Sequence, residues 1–451
     1  MEPVKKLLRL AAVIVGVVGL ALAQSSSSAG AIKGVVTDTQ GAAVPGAHLA
    51  LTNVDTGEAV LQQSQANGGY VFALLKPGNY KLVVTATGLS TTTLNNLKVQ
   101  IATVTTANAK LKVGEVTSEI TVTGAAQLVD TSTATTGDVI TGQQAVAIPL
   151  PTRNFLDLMG LQANVTTTMQ SAATVGRGTD IVYSSGSRGT TNNYVLDGID
   201  ANSIGGNSFG GVPIPNPDSI QEFKVSTSLY DASQGRGSGG EINVLLKSGG
   251  QKLHGGAFEF FRSNNLNAND FFANRAGKPR PVLLQNQFGG EVGGPLPKLK
   301  NTFWFFSYQG TRQKNGVSGL VSGSQPVMPA TRDAASLATA FGVPVANIDP
   351  VAVKWLNRPG PYGGQLYPSG TCVGITGACG PGSIGTFTTS LPAIFNEDQE
   401  AASVDHDFSA KHHVALQWFY SSGPTISPTG GGVSLGQGST STLINNHLAL
   451  S

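Results

Sequence analysis

The sequence is poor in charge, in cysteine and in long apolar runs. Charged residues make up 12% of the 451 residues, about half of the quarter that is usual for soluble domains. The formal net charge of +2 provides no basic field that would attract nucleic acid. Beyond the N-terminus no stretch is apolar enough to cross a membrane as a helix, so membrane residence would have to come from β-strands.

The sequence also lacks patterns for metal binding. Of the six His, only His412 and His413 are adjacent, and neighbouring strand residues point to opposite faces. No His-Glu-x-x-His or Cys–His cluster occurs, so neither a metal nor any other cofactor is predicted. The only cysteines, Cys372 and Cys379, favour a disulfide that closes a small loop in an oxidising compartment over a metal site.

Two glycine patterns do not fit the motifs that they spell. Gly235–Gly240 matches G-x-G-x-x-G, but a predicted strand follows it, and a dinucleotide needs a helix N-terminus there. Gly206–Gly210 matches G-x-S-x-G, but Pro213, Pro215 and Pro217 preclude the helix that follows a nucleophile elbow. The sequence therefore predicts no enzyme.

The N-terminus carries an export signal. A positively charged start with Lys5, Lys6 and Arg9 precedes the apolar run Leu10–Leu22, and an A-x-A cleavage site ends at Ala23. The alternative is a transmembrane anchor, which needs about 18 or more apolar residues. Because this run is shorter, a cleaved signal peptide over residues 1–23 is predicted.

Residues 31–114 show short strand patterns at even spacing. Turn signals such as Asn67-Gly68 and Pro77-Gly78 separate them. The predicted strands are Ile32–Thr37, His48–Thr52, Gly69–Leu74, Tyr80–Thr85 and Val99–Val104. This spacing favours a β-sandwich. The run GVVTDTQGAAVPGAHLALTN, which begins at Gly34, resembles the carboxypeptidase-regulatory-like domain, a transthyretin-type fold also described as carbohydrate-binding-like. The fold alone specifies no activity.

Residues 115–250 are rich in glycine and contain short β-type runs. The runs are Tyr194–Leu196, Glu222–Ser226 and Ile242–Leu246, and Asn154–Leu158 is predicted to begin a short helix. Leu229–Lys247 resembles the end of the plug domain of TonB-dependent receptors. Two further stretches, Ile148–Leu158 and Asn192–Asn202, resemble motifs of Oar-like TonB-dependent proteins. The resemblance implies a plug domain.

A short extended segment precedes this region. It resembles a TonB box, which pairs with an energising protein by adding a strand to a sheet edge. The residues of this candidate are Glu119, Ile120, Thr121, Val122, Thr123 and Gly124. Such main-chain pairing makes loose demands on side chains, so an ordinary linker strand fits the segment equally well.

Alternating aromatic strands follow Lys252. In three of them one face is apolar, with the face-sharing sets Gly256, Phe258 and Phe260; Trp304, Phe306 and Tyr308; and Val414, Leu416, Trp418 and Tyr420. This pattern favours a barrel with lipid outside and a wet lumen inside over a soluble sheet buried on one side. Gln313–Ala402, rich in Gly, Pro and Ser and poor in strand pattern, is predicted to be an extracellular loop.

The sequence thus predicts an all-β protein with a transthyretin-like β-sandwich, a plug domain and an incomplete transmembrane β-barrel over residues 251–451. A 22-stranded barrel needs on the order of 200–240 strand residues, so the chain is expected to be a fragment.

The family resemblance implies a TonB-dependent receptor in the outer membrane, with sandwich and plug on the periplasmic side. Its partners would be outer-membrane lipid, a TonB-type protein and an imported extracellular ligand of the carbohydrate or peptide class, with no nucleic acid. The alternative is a surface adhesion or carbohydrate-binding protein anchored by a barrel.

Overall fold

The computed structural model describes most of the chain past the predicted signal peptide, which lies outside the described residues. These are residues 28–114, 120–123, 135–168, 170–171, 174–178, 181–203, 212–228, 237–269, 271–275, 280–317, 320–359, 365, 367, 369–372, 379–390, 392–409, 412–427 and 439–450. Within these ranges no helix is long and apolar enough to span a membrane.

The first unit is the predicted sandwich. Its strands are β1 (Gly30–Thr37), β2 (His48–Asn53), β3 (Ala59–Gln63), β4 (Gly69–Leu75), β5 (Gly78–Thr85), β6 (Thr92–Val99), β7 (Val104–Thr106) and β8 (Ala109–Lys110). One sheet has the order β4-β1-β7, with β8 also paired to β1, and the other begins β3-β2-β5-β6. Alternate residues of each strand, such as Leu49 and Leu51 of β2, meet in one shared core between the sheets.

The predicted strand Val99–Val104 is wrong. The chain turns at this point, because Ala102 adopts a left-handed φ of 49° and its N–H donates to the carbonyl of Ala29. Ile101 is fully buried, so the apolar residues that suggested a strand are covered at a turn instead. The pattern also failed to predict β3 and β6.

The second unit is a mixed sheet with short helical turns. Its strands are β10 (Thr136–Thr141), β11 (Val165–Thr167), β12 (Val182–Ser184), β13 (Asn193–Leu196), β14 (Ile199–Asp200), β15 (Ile220–Ser228) and β16 (Glu241–Leu246). Gly142–Ala147 is α-helical, and Phe155–Leu161, Gly189–Thr191 and Pro217–Ser219 are 3-10 helices. The main sheet has the order β10-β15-β16-β13-β14, in which β13 and β16 run parallel. β11 and β12 form a separate pair.

The third unit is a sheet of long antiparallel strands. Its members are β17 (His254–Ser263), β18 (Leu283–Pro295), β19 (Thr302–Asn315), β22 (Ala393–Ser409), β23 (His412–Ser427) and β24 (Ser439–Leu450), paired in that order. Between β19 and β22, the strands β20 (Leu320–Pro326) and β21 (Ile384–Ser390) form a separate ribbon. The helices are Phe271–Arg275, Ala334–Phe341 and Pro350–Leu356, with 3-10 turns at Asn264–Leu266 and Val345–Asn347.

The long strands present two different faces, as the alternation predicts. On β19 the residues Ser307, Gln309 and Thr311 are buried, while Trp304 and Phe306 lie on the more exposed face. The buried face covers the second unit, whose hydrophobic core takes in Ala401 of β22 and Phe419 of β23. The sheet is thus a wall with a polar inner face toward the plug and an apolar outer face, as a membrane barrel requires.

On β17 the assignment of the aromatic face to lipid is wrong. The guanidinium carbon of Arg153, a residue of the plug, lies 4.4 Å from the ring centroids of both Phe258 and Phe260. These rings therefore face the plug. A buried guanidinium gains from a stack on aromatic faces, which the alternation of the strand does not reveal.

The segment Gln313–Ala402 is more ordered than predicted. Besides the β20–β21 ribbon it contains Ala334–Phe341, a helix capped by the side chain of Asp333 and ended by Gly342 at a φ of 65°. The predicted bounds are too wide, since residues 313–315 belong to β19 and residues 393–402 to β22. The ribbon strands read LVSGSQP and IGTFTTS, and their small residues hid the strand signal.

The sandwich core gives a direct test with an internal control. Leu51 of β2 is fully buried, whereas the side chain of Leu61 on the paired strand β3 is 76% exposed. Leu51→Ala should lower the free energy of unfolding by about 2–5 kcal/mol, because it leaves a cavity. Leu61→Ala should change it by less than about 0.5 kcal/mol. Urea unfolding of residues 28–114, followed by circular dichroism, measures both; equal losses would contradict the assigned core.

Candidate functional site

The connections between the long strands define two ends of the wall. At one end of the wall, few residues separate consecutive strands: positions 296–301 between β18 and β19, and positions 410–411 between β22 and β23. At the other end the strands are separated by longer stretches of sequence: positions 264–282, 316–392 and 428–438. Outer-membrane barrels have short periplasmic turns and longer extracellular loops. The end at which β22 finishes and β23 begins is therefore the periplasmic one.

Glutamine side chains of the wall hold the loops of the plug. Their amide nitrogens donate to backbone carbonyls that no plug strand satisfies: Gln287 to Thr152 at 3.1 Å, Gln313 to Thr174 at 3.1 Å and Gln399 to Ile214 at 2.9 Å. Buried carbonyls need such partners, so the inner face of the wall is polar for a structural reason.

Two buried arginines of the plug make stronger contacts. The Nε of Arg177 lies 2.7 Å from a carboxylate oxygen of Glu397 on β22, and both side chains are more than 90% buried. Arg153 donates from Nε to Gln309 of β19 at 2.9 Å and forms an ion pair with Asp218 inside the plug. The first contact is a charge-assisted bond between plug and wall, of the class that is costly to break on one side.

A cavity of about 570 Å³ opens at the extracellular end beside this ion pair. Plug residues around Arg177 line one side, and Phe395, Glu397 and Gln399 of β22 line the other, together with Asn445 of β24. Within the described residues, Nη2 of Arg177 and Oε1 of Gln399 have no hydrogen-bond partner. Both atoms are buried, so they add to the polarity of the cavity wall without being open to the cavity.

The sandwich docks at the periplasmic end, where it contacts both plug and wall. Lys224 of β15 donates from Nζ to the carbonyl of Ala102 at 2.6 Å, and the carboxylate of Glu222 accepts the N–H of Ile101. The Nζ atom of Lys76 in the sandwich lies 2.8 Å from Oδ1 of Asp405 on β22. The polar positions of β15 are therefore buried under the sandwich.

The candidate TonB box lies beside the sandwich. Ile120–Thr123 form a strand, β9, at the end of the β3-β2-β5-β6-β9 sheet, in parallel with β6. Glu119 and Gly124 lie outside the described residues. At the opposite end of the molecule, the sulfur atoms of Cys372 and Cys379 are 2.13 Å apart in a disulfide.

The sequence did not single out the residues that join the three units. Arg177 and Glu397 are 220 positions apart, and Glu222 and Ile101 are 121 apart. For Glu222, a charged residue within a strand pattern was the one available signal. Arg153 lies in a stretch noted for its resemblance alone.

Comparison with known proteins agrees with this architecture. Residues 31–112 match the carboxypeptidase regulatory-like domain and residues 245–451 match an outer membrane beta barrel domain. The chain is 26% identical over 322 residues to the TonB-dependent transporter Oar of Myxococcus xanthus. The match covers 66% of this chain and 28% of that protein. The chain thus resembles the Oar-like TonB-dependent outer-membrane receptors.

Some solved structures are similar to parts of this chain. The outer-membrane transporter YddB of Escherichia coli matches with a TM-score of 0.40 at 12% identity. This match covers 65% of the present chain and 34% of the YddB chain. A mutant of the ferric enterobactin receptor of Pseudomonas aeruginosa has a TM-score of 0.36 at 14% identity, with 64% and 33% covered. The chain spans about a third or less of these proteins. The outer membrane beta barrel match over residues 245–451 and the transporter relative, rather than these structures, confirm the predicted all-β fold and outer-membrane location.

The ion pair between Arg177 and Glu397 can be tested against an exposed pair nearby. Arg177→Met leaves the buried carboxylate of Glu397 without its partner and should destabilise the chain in detergent by about 3–5 kcal/mol. Arg312→Met removes a pair with Asp398 whose side chains are 39% and 47% exposed, and should cost less than about 1 kcal/mol. Thermal unfolding measures both, and similar losses would contradict the buried contact.

Docking of the sandwich should depend on pH through Glu222. Burial raises the pKa of this carboxyl from 4.5 to about 7, against the lowering effect of the Ile101 N–H, Lys98 and Lys224. Because the folded pKa is raised, its contribution to stability is complete below pH 4.5 and is lost as the pH rises through about 7.

The variant Glu222→Gln isolates this contribution, since it keeps the acceptor for Ile101 but does not titrate. Burial also raises the pKa of Asp197 and of Glu241 to about 7, so the unmodified chain and the variant must be compared. Between pH 5 and pH 8 the unmodified chain should lose about 1–3 kcal/mol more than the variant. Thermal unfolding at both pH values measures the difference; parallel curves would show that Glu222 does not titrate in this range.

Proposed function

We propose that this chain forms the sandwich, plug and part of the barrel wall of a transporter that binds an extracellular ligand and imports it with energy from a TonB-type protein. The observation that carries the proposal is the plug held against the inner face of the wall by Arg177–Glu397 and by neutral glutamine contacts. A domain that is held by few charged contacts blocks the lumen and still can be displaced.

The cavity beside Arg177 supports a polar ligand. Its lining combines a guanidinium, a carboxamide and the ring of Phe395, which suits a ligand with hydroxyl or carboxylate groups and an apolar part. A sugar or a short peptide has this chemistry, in agreement with the ligand classes that the sequence suggested.

The candidate TonB box supplies the coupling in this proposal. An extended segment that adds to a partner's sheet gains its affinity from main-chain hydrogen bonds, so backbone donors matter more than side chains. Ile120–Thr123 already adopt the required strand conformation, and they lie at the periplasmic end, where a TonB-type protein acts.

A pair of substitutions at Val122 tests the coupling. Val122→Pro removes a backbone donor and fixes φ, so it should abolish binding of the periplasmic domain of a TonB-type protein and should abolish uptake in a cell that carries the full-length protein. Val122→Thr keeps the donor and the preference for strand, so both should stay within about twofold of the unmodified protein. Surface expression is the control for folding. Uptake that survives Val122→Pro would favour the adhesion alternative.

A further inference from the structure

The pairing of β9 with β6 makes the candidate box part of the sandwich. The two strands run parallel, with Thr92 opposite Ile120, Leu94 opposite Val122 and Asn95 opposite Thr123. β9 is the last strand of its sheet, so among the described residues its outer edge has no neighbouring strand.

The burial pattern of β6 differs between the residues that pair with β9 and those that follow them. Thr92, Thr93 and Leu94 are all nearly fully buried, although consecutive strand residues point to opposite faces. Beyond Asn95 the ordinary alternation returns, with Leu97 buried and Lys98 exposed. The first half of β6, which pairs with β9, is thus covered on both faces, whereas the second half is covered on one face.

The end of the pairing has a backbone cause. Asn96 adopts a left-handed φ of 57°, and the register of β6 with β5 shifts at the same place. A residue in this conformation bends the strand away from a straight ladder. The site on β6 is therefore limited to Thr92–Asn95, which is the length of β9.

We propose that the sandwich is a template that presents Ile120–Thr123 to the TonB-type protein, whose extended segment then adds to the outer edge of β9. The proposal rests on the box assignment made above. A short isolated strand must lose conformational freedom when it binds, and a segment already ordered on a template has lost it beforehand. Strand addition uses one edge only, so β9 need not leave β6.

The position of the template fits this role. The turn that follows β6 contacts the plug, since the N–H of Ile101 donates to Glu222 and the carbonyl of Ala102 accepts from Lys224, both on β15. A pull on β9 is therefore applied to a domain that is hydrogen-bonded to β15, an inner strand of the plug sheet. The same pull also acts on the chain that leads into the plug.

A disulfide between the two strands tests the template. Asn95→Cys with Thr123→Cys places the new cysteines at paired positions, and a half-buried Asn95 tolerates the change. Lys98→Cys with Ile120→Cys is the matched control, since Ile120 pairs with Thr92 and these positions are therefore far out of register. Cα atoms more than about 7 Å apart cannot be bridged without backbone movement. Oxidation should cross-link the first pair and leave the control unlinked.

Binding to the periplasmic domain of a TonB-type protein then separates the possible outcomes. The oxidised, cross-linked chain should bind with a Kd within threefold of the reduced chain or tighter. A Kd more than threefold weaker would show that β6 hides the segment, and it would overturn the template, as would failure of the matched pair to cross-link.

A synthetic peptide of residues 115–126 separates the template from the box assignment. If the peptide and the reduced chain both fail to bind, the box assignment is wrong and the template falls with it. If the peptide binds and the cross-linked chain does not, the box assignment stands and the template alone is wrong.

Discussion

The need to satisfy the backbone of the plug governs the rest of the structure. Its loops at Thr152, Thr174 and Ile214 carry carbonyls that the plug sheet does not pair, and glutamines of the wall supply the donors. A buried carbonyl without a partner is costly. The wall strands therefore need alternating residues, because their inner face contacts the polar backbone of the plug and their outer face contacts apolar surroundings.

Neutral amides suit a domain that is both held and movable. A hydrogen bond from an amide to a carbonyl contributes a net of about 1 kcal/mol, because water replaces it when it breaks. A buried ion pair such as Arg177–Glu397 behaves differently, since a displacement that leaves either charge buried without its partner is strongly unfavourable. The low charge of the sequence leaves few contacts of the second kind, so the resistance of the plug to displacement is concentrated at a few named residues.

The features of the fold that depend on a local residue pattern could be predicted from the sequence. The outer face at Trp304 and Phe306 follows from alternation, and the plug strands that contain Tyr194 and Ile242 follow from short β-type runs. Alternation shows that a strand has two different faces, but it does not show which face lies inside. For this reason the aromatic face of β17 was assigned wrongly. Contacts between distant segments, such as Arg177 with Glu397, leave no local trace and needed the structure.

The hydrophobic cores differ in how much of the chain they require. The sandwich core uses residues between Ile32 and Leu111 only, whereas the plug core is completed by Ala401 and Phe419 of the wall. Domains generally fold as units, and the N-terminal one is the first to emerge during export. The sandwich can thus fold while the remainder is still extended and available to assembly factors. The plug reaches its final packing only after the wall strands have joined it. Assembly of the wall and the packing of the plug against it are therefore completed together.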